Sequence, residues 1–485
     1  MGGLISGTTA IMAEQSTGRS IGGVVLAAAP MAAALGAESL RQGGNAFDAV
    51  VTAALAETVL LPPKCGLAGD LVALRLESGK PQPDALLAIG GAPGRLAKTA
   101  ERGELKPTGP TSVGVPGAPA GYDVLATQGL LGRSRLAAPA IRLARQGFPW
   151  AQICTALAME SAELVERHNP DGTNYFPAGA PIAPGRVVRL PGMADLLEEW
   201  VRRGAELFWG GVGDIVAGSV QRRGGVIETS DFRSVRAQWE TPAAGTVGTR
   251  RLWATPAPTH GPSLLAAMAD ARPTDGAGAT WDRVAQVISQ RQVSLADPSG
   301  TSMVSAADAA GNVVVVIHSN SFPRFGSGLV VDEFDLILNN RPGRGFSAEP
   351  GHPNFPAPGK RPATTLHAWA ISDNGGMPQF LGGTPGGENQ MPWNAQTLGQ
   401  MISGQDEPGA LVIAPRWEML SGGGVAIEEG FDLDGIEELR SRATSTTIVP
   451  PFGLRCAQQV IALPGADGVV VGAVDPRTGG AAVAV

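Results

Sequence analysis

Asp297-Pro298-Ser299-Gly300-Thr301-Ser302-Met303-Val304-Ser305-Ala306-Ala307 leads through Asp308-Ala309-Ala310-Gly311-Asn312 into Val313-Val314-Val315-Val316-Ile317-His318-Ser319-Asn320-Ser321. Two apolar, β-branched runs around a polar turn ending in Gly-Asn predict an antiparallel hairpin over 303–307 and 313–318. The second run ends on Ser319 and Ser321, so the hairpin returns hydroxyl side chains toward its own start. That start is Thr301, directly after a loop glycine. A threonine opening a strand is ordinarily structural, so only its neighbours can single it out.

The character of the chain changes at this point. Before it, the apolar residues of 30–60, 121–165 and 190–204 recur at three- and four-residue spacing, the mark of helices. Pro30 suits a first helical turn and Gly43-Gly44-Asn45 a helix end. The chain up to about residue 295 therefore reads as mostly helical with Gly/Pro loops. After it come further strand-like runs at 329–331 with 336–338, 368–371, 379–381 and 469–474. Two units follow, a helix-rich 1–300 and a strand-rich 301–485, joined at the bond between Gly300 and Thr301.

Composition sets the outer limits. Gly 67 and Pro 39 together make 106 of 485 residues, a turn-rich chain, while 43% hydrophobic residues still permit a large core. With 37 basic against 44 acidic side chains the net charge is −7, and no dense Lys/Arg block offers a nucleic-acid footprint. Cys65, Cys154 and Cys456 are scattered and odd in number, which argues for three buried thiols rather than a disulfide framework or a zinc site. The apolar stretch after Gly23 is broken by Pro30 and followed by Glu38 and Arg41, too short to span a bilayer. A cytoplasmic enzyme acting on a small molecule, with no cofactor and no metal, is the expectation.

Two polar turns join Thr301. Arg361-Pro362-Ala363-Thr364-Thr365 is rich in hydroxyls, and Gly382-Gly383-Thr384-Pro385-Gly386-Gly387 follows a strand, where backbone N–H groups can face a developing oxyanion. No Walker-type lysine accompanies the second turn, so it is not a nucleotide cradle.

These pieces together resemble the γ-glutamyltransferase (γ-glutamyltranspeptidase) family of N-terminal-nucleophile hydrolases. Ala28-Ala29-Pro30 through Gly43-Gly44-Asn45-Ala46-Phe47-Asp48-Ala49 is similar to that family's first helix pair, and Val115-Pro116-Gly117 to one of its turns. Ala138-Pro139-Ala140-Ile141 to Gly147-Phe148-Pro149 is similar to a third motif. Gly326-Ser327-Gly328, Leu338-Asn339-Asn340, Lys360-Arg361-Pro362 and Thr384-Pro385-Gly386-Gly387 follow in the family's order. The resemblance implies an α+β, four-layer αββα fold and a precursor that cuts itself between Gly300 and Thr301, giving a self-derived α/β heterodimer open to further dimerisation. A threonine hydroxyl is too weak an acid to react unaided, whereas a free α-amino group with a pKa of roughly 7.7–8.0 can take its proton. By the same resemblance Ser319 supports the nucleophile, Gly386 and Gly387 form the oxyanion hole, and Thr364 and Thr365 touch the substrate carboxylate, with Ser321 beside them.

Departures from the family pattern bear on substrate. Where the family holds the γ-glutamyl α-carboxylate with an arginine, this chain has Gly90. Where it holds the α-ammonium with an acid, the segment reads Arg341-Pro342-Gly343-Arg344-Gly345-Phe346. Losing a bidentate arginine clamp costs on the order of 2–5 kcal/mol. Arg324, Arg341 and Arg344 add positive charge instead, with Arg324 and Arg344 as candidate substrate contacts, which suits a substrate richer in carboxylates. The loop before the cut, Leu295-Ala296-Asp297-Pro298, is followed by only Ser299 and Gly300, a shorter flap than usual. Such features match a branch of homologues in 4-alkylproline pathways (lincomycin, hormaomycin, pyrrolobenzodiazepines), where hydrolysis of a carbon–carbon bond removes an oxalyl unit. A γ-glutamyl hydrolase or transferase, a cephalosporin-type amide acylase and a processing-dead scaffold stay open as alternatives. Gly300, Thr301, Ser319 and the intact 384–387 turn argue against the last.

Overall fold

In the computed structural model, which describes residues 7–291, 300–465 and 467–485, the predicted hairpin forms the centre of a seven-stranded sheet. Its strands in chain order are β2 (Gly23–Ala27), β3 (Asp70–Leu76), β4 (Asp84–Ala88), β5 (Gln238–Glu240), β8 (Thr301–Asp308), β9 (Val313–Ser319) and β14 (Ala481–Ala484). They lie side by side in the order β14-β2-β8-β9-β3-β4-β5. A second seven-stranded sheet has the order β1-β13-β12-β11-β10-β7-β6. Its members are β1 (Thr17–Ser20), β6 (Ala243–Val247), β7 (Arg250–Ala254), β10 (Ala368–Ser372), β11 (Pro378–Gly383), β12 (Gln459–Ala462) and β13 (Val470–Val474).

The hairpin forms as the residue types require. Four consecutive valines favour an extended backbone, and both β8 and β9 are buried along their whole length. Asp308 closes the turn by accepting the N–H groups of Ala310 and Asn312, and Gly311 supplies the left-handed residue at φ +83°.

Helices cover both outer faces. Against the first sheet lie α1 (Pro30–Arg41), α2 (Ala46–Leu60) and α3 (Ala118–Ala126), with α4 (Arg133–Gln146) packed on α2 and α5 (Pro191–Arg203) packed on α4. The first of these carries Pro30 in its opening turn. Helix α2 starts with a full capping box between Asn45 and Asp48, and every one of its residues is buried. Against the second sheet lie α6 (Gly261–Met268), α7 (Ala277–Ser289), α8 (Gln390–Ile402) and α9 (Pro408–Ile413). Between the sheets, Val72, Leu74, Leu87, Met303, Val315, Ile317, Ala370 and Leu381 form one dry layer. The architecture is thus α+β in four layers, αββα, as expected. No helix among the described residues is long and apolar enough to cross a membrane.

The segment before residue 300 carries twelve of the sixteen α-helices of the described residues and also supplies β1 to β7, half of the strands of the two large sheets. Runs such as Asp70–Leu76 (DLVALRL) are buried on both faces, so they lack the alternation that marks a half-exposed strand. The shortened loop 295–299 lies outside the described residues.

Candidate active site

Strand register builds the site. Thr301 stands opposite Ser319, and Ser319 stands opposite Asp70 on the next strand. Residues directly opposite one another in a sheet point to the same face. Thr301, Ser319 and Asp70 therefore form a row at the end of three adjacent strands, all three buried.

Within this row the Thr301 hydroxyl donates to Ser319 Oγ at 3.0 Å. Ser319 Oγ donates in turn to the carbonyl oxygen of Gly300 at 3.0 Å, and accepts the N–H of Ser321 at 2.9 Å. Ser321 adopts φ +71° to turn back toward Gly300. A Cβ on residue 300 would lie 2.3 Å from the Ser321 carbonyl oxygen, so only glycine fits before the threonine. The hydroxyl of Ser319 thus joins the Thr301 hydroxyl and the preceding carbonyl in one chain.

The polar turns meet through a residue that the sequence did not mark. Oriented to satisfy its neighbours, the Gln390 amide accepts from Gly387 N (3.2 Å) and Thr365 Oγ1 (3.3 Å), and donates to the carbonyls of Thr384 and Thr365 (3.2 and 3.1 Å). Gly386, at φ +148°, packs where a Cβ would meet the Trp393 ring at 2.2 Å. Thr364 Oγ1 accepts the N–H of Leu366, a turn-forming role. His367 braces the same turn: its Nδ1 lies 2.7 Å from the Thr365 carbonyl and its Nε2 3.0 Å from Asn394 Nδ2. These partners require a neutral ring with the proton on Nδ1. Burial lowers its pKa to about 4.

The arginines divide. Arg324 pairs with Glu160 at 2.7 Å, and both Arg324 and Arg344 lie over the ring of Phe322, at 5.6 and 5.2 Å. Phe322 follows Ser321, so these two cations flank the turn after the hydroxyl row. Arg341 is not a solvated loop residue: its Nε donates to Asp70 Oδ2 at 3.0 Å in a buried pair. The other oxygen, Asp70 Oδ1, takes the N–H of Gly90 at 2.9 Å. Burial raises the Asp70 pKa, while Arg341 and the Gly90 N–H act against that rise. His260 is held well below its usual pKa, first by burial and then by Arg291, His367 and Arg341. Its surroundings are electropositive.

Gly90 acquires a second meaning. A Cβ there would sit 1.6 Å from the Val115 carbonyl oxygen, so no arginine fits at this position on the present backbone. Gly343 is equally crowded, against the Lys106 carbonyl at 2.2 Å.

On the opposite face of β9 lies a buried polar chain that no motif announced. His318 Nδ1 is 2.7 Å from the Tyr122 hydroxyl and its Nε2 is 3.0 Å from Glu57 Oε2. Cys65 completes a group whose ligand-type atoms lie within 4.8 Å of one another, bringing together residues that the sequence separates widely. Cys65, Cys154 and Cys456 are all free and buried. Burial pushes the thiols of Cys154 and Cys456 up to about 12, so none is a poised nucleophile. A surface groove of about 630 Å³ lined by Glu166, Asn169, Phe176 and Asp332 shares no residue with the hydroxyl row.

The γ-glutamyltranspeptidase family description matches residues 32–271 and 274–485. The chain belongs to this family. As a γ-glutamyltranspeptidase-family protein it is an enzyme of the N-terminal-nucleophile hydrolase class. It is 25% identical to the glutathione hydrolase-like YwrD proenzyme of Bacillus subtilis, over 94% of this chain and 97% of that protein. It is 27% identical to the oxamate amidohydrolase proenzyme of Klebsiella pneumoniae, over 91% of this chain and 94% of that protein. Its structure superposes on the cephalosporin acylase of Bacillus halodurans with a TM-score of 0.85 at 27% identity, covering 97% of each chain.

Proposed function

We propose that this protein is a self-processing threonine hydrolase whose substrate carries its own carboxylate on the acyl side, with an oxalyl unit as the best-fitting group. The observation that carries the reading is the chain from Thr301 Oγ through Ser319 Oγ to the Gly300 carbonyl. In the uncut chain Thr301 Oγ attacks the Gly300 carbonyl carbon, with the Ser319 hydroxyl donating to the carbonyl oxygen as charge develops there. The C–N bond breaks, the nitrogen gains a proton to become the α-amino group of Thr301, and water hydrolyses the ester. The freed amine then serves as general base for the same hydroxyl.

In turnover Thr301 Oγ attacks the substrate carbonyl and the Gly386-Gly387 turn supplies backbone N–H groups to the oxyanion, that of Gly387 leaving Gln390 to do so. The leaving group departs with a proton, and water releases the acid. Oxamate, named for one relative, joins an amide carbonyl directly to a carboxylate. Attack on such a carbonyl leaves an oxalyl ester on Thr301, whether the broken bond is C–N or C–C. Carbon–carbon hydrolysis in bacterial secondary metabolism is the finer form of this reading, because the γ-glutamyl positions are filled by Gly90 and Gly343 while Arg324 and Arg344 flank the turn after Ser321 and Arg341 is held at Asp70. A cytoplasmic location accompanies it.

The test is direct. Purified protein should run as two fragments, the smaller starting Thr-Ser-Met-Val, and should release oxalate from an oxalyl amide or oxalyl ketone faster than nitroaniline from γ-glutamyl-4-nitroanilide. A single uncut band of 49.5 kDa with no turnover sinks the proposal.

A further inference from the structure

Arg341 is 6% exposed, yet its Nη2 is buried with no hydrogen-bond partner among the described residues. Its Nε is committed to Asp70 Oδ2. Asp70 does not reach that nitrogen, and its other oxygen accepts the Gly90 N–H. Buried guanidinium N–H groups left unmatched are costly, and native interiors satisfy them. A planar fork with one edge anchored and another edge open is matched to a carboxylate.

The place of this edge decides what would use it. Asp70 stands two strands from Thr301 in the row Thr301–Ser319–Asp70, which is about 10 Å between backbones at the usual strand spacing. The Arg341 guanidinium is bound to that same Asp70. Asn339 fixes the base of the arginine, accepting from Arg341 N at 2.9 Å while donating to the carbonyls of Ala68 and Gly114. Arg341 is therefore held rigidly beside the nucleophile row. Asp70 ties it to Gly90, where the Val115 carbonyl leaves no room for a side chain.

We infer that Arg341, braced by Asp70, is the substrate-carboxylate anchor of this active site, selecting short acyl groups that carry a free carboxylate near the scissile carbonyl. The inference rests on the hydrolase reading above and assigns its specificity. Asp70 acts as a positioning residue: it does not touch substrate but fixes the plane of the guanidinium.

The experiment compares two chromogenic amides, 4-nitrooxanilate and the neutral 4-nitroacetanilide, on processed wild type, Arg341→Gln, and the double variant Asp70→Asn/Arg341→Gln. The double variant removes both members of the buried pair and so avoids stranding a charge. Fragment pattern on a denaturing gel reports processing, and melting temperature with and without oxamate reports binding independently of turnover. Wild type should prefer the oxanilate. Both variants should still process and should lose on the order of 10²-fold in kcat/KM for the oxanilate, mainly through KM. Acetanilide turnover should stay within about twofold, and oxamate should raise the wild-type melting temperature alone. A processed wild type with no preference for the oxanilate overturns the anchor and leaves the hydrolase standing. Equal losses on both amides, or oxamate stabilising the variants as well as wild type, also overturn it. An uncut, inactive wild type refutes the hydrolase reading, and oxamate stabilisation confined to wild type would still support the anchor.

Discussion

Thr301 and Ser319 face each other across an antiparallel pair with their hydroxyls 3.0 Å apart. They lie eighteen positions apart in sequence, and the length of the two strands sets where they meet. A one-residue slip of register would turn Ser319 to the other face, and the Gly300 carbonyl would lose its donor.

Thr301→Ala should therefore leave the chain uncut and inactive, because nucleophile and prospective base are lost together. Ser319→Ala should leave the nucleophile but slow self-cleavage on the order of 10²-fold, the usual effect of removing one oxyanion donor. Time-resolved gels of freshly expressed protein check both. Full-speed cutting by Ser319→Ala would remove Ser319 from the reaction.

Gly386→Ala should be more damaging than a surface glycine change. Its Cβ would meet the Trp393 ring at 2.2 Å, and φ +148° is unfavourable for any L side chain. Strain of about 1–3 kcal/mol is expected, with kcat falling as the turn shifts. Melting temperature and steady-state kinetics on the processed protein measure the two parts.

His318→Leu should destabilise the fold by roughly 3 kcal/mol, because Glu57 would remain fully buried without its imidazole partner at 3.0 Å. The double change Glu57→Leu/His318→Leu should recover part of that loss. Urea denaturation of the uncut Thr301→Ala background gives the comparison free of processing.

The site was legible where its parts are local. The hairpin, the glycine before the threonine and the glycine-rich turn each show in a few consecutive residues. The pair Asp70–Arg341 spans 271 positions and Glu57–His318 spans 261, so neither leaves a sequence motif. Arg341 was expected among the pocket cations, but the aspartate that holds it could not be foreseen. Gly90 read as a lost arginine, whereas the Val115 carbonyl shows that backbone packing alone demands glycine. The strands before residue 300 were hidden because uniform burial removes the two-residue period.

Stability should fall on acidification through the titration of His367. The folded ring takes a proton only near pH 4, against 6.5 for an ordinary imidazole. Between those values the unfolded chain binds a proton that the folded chain excludes, so stability is lost as pH drops from about 6.5 to 4. The full effect is about 3 kcal/mol. Unfolding free energies across that range should flatten in His367→Gln, and an unchanged slope would assign the pH dependence to other groups.

The interleaving of strands reaches beyond catalysis. In the order β14-β2-β8-β9-β3-β4-β5, and again in β1-β13-β12-β11-β10-β7-β6, segments from either side of residue 300 hydrogen-bond to one another within both sheets. If the bond before Thr301 is cut as proposed, neither piece retains a complete sheet to fold around. The information for assembly would then belong to the uncut chain, and the cut molecule would rely on slow unfolding to keep its shape.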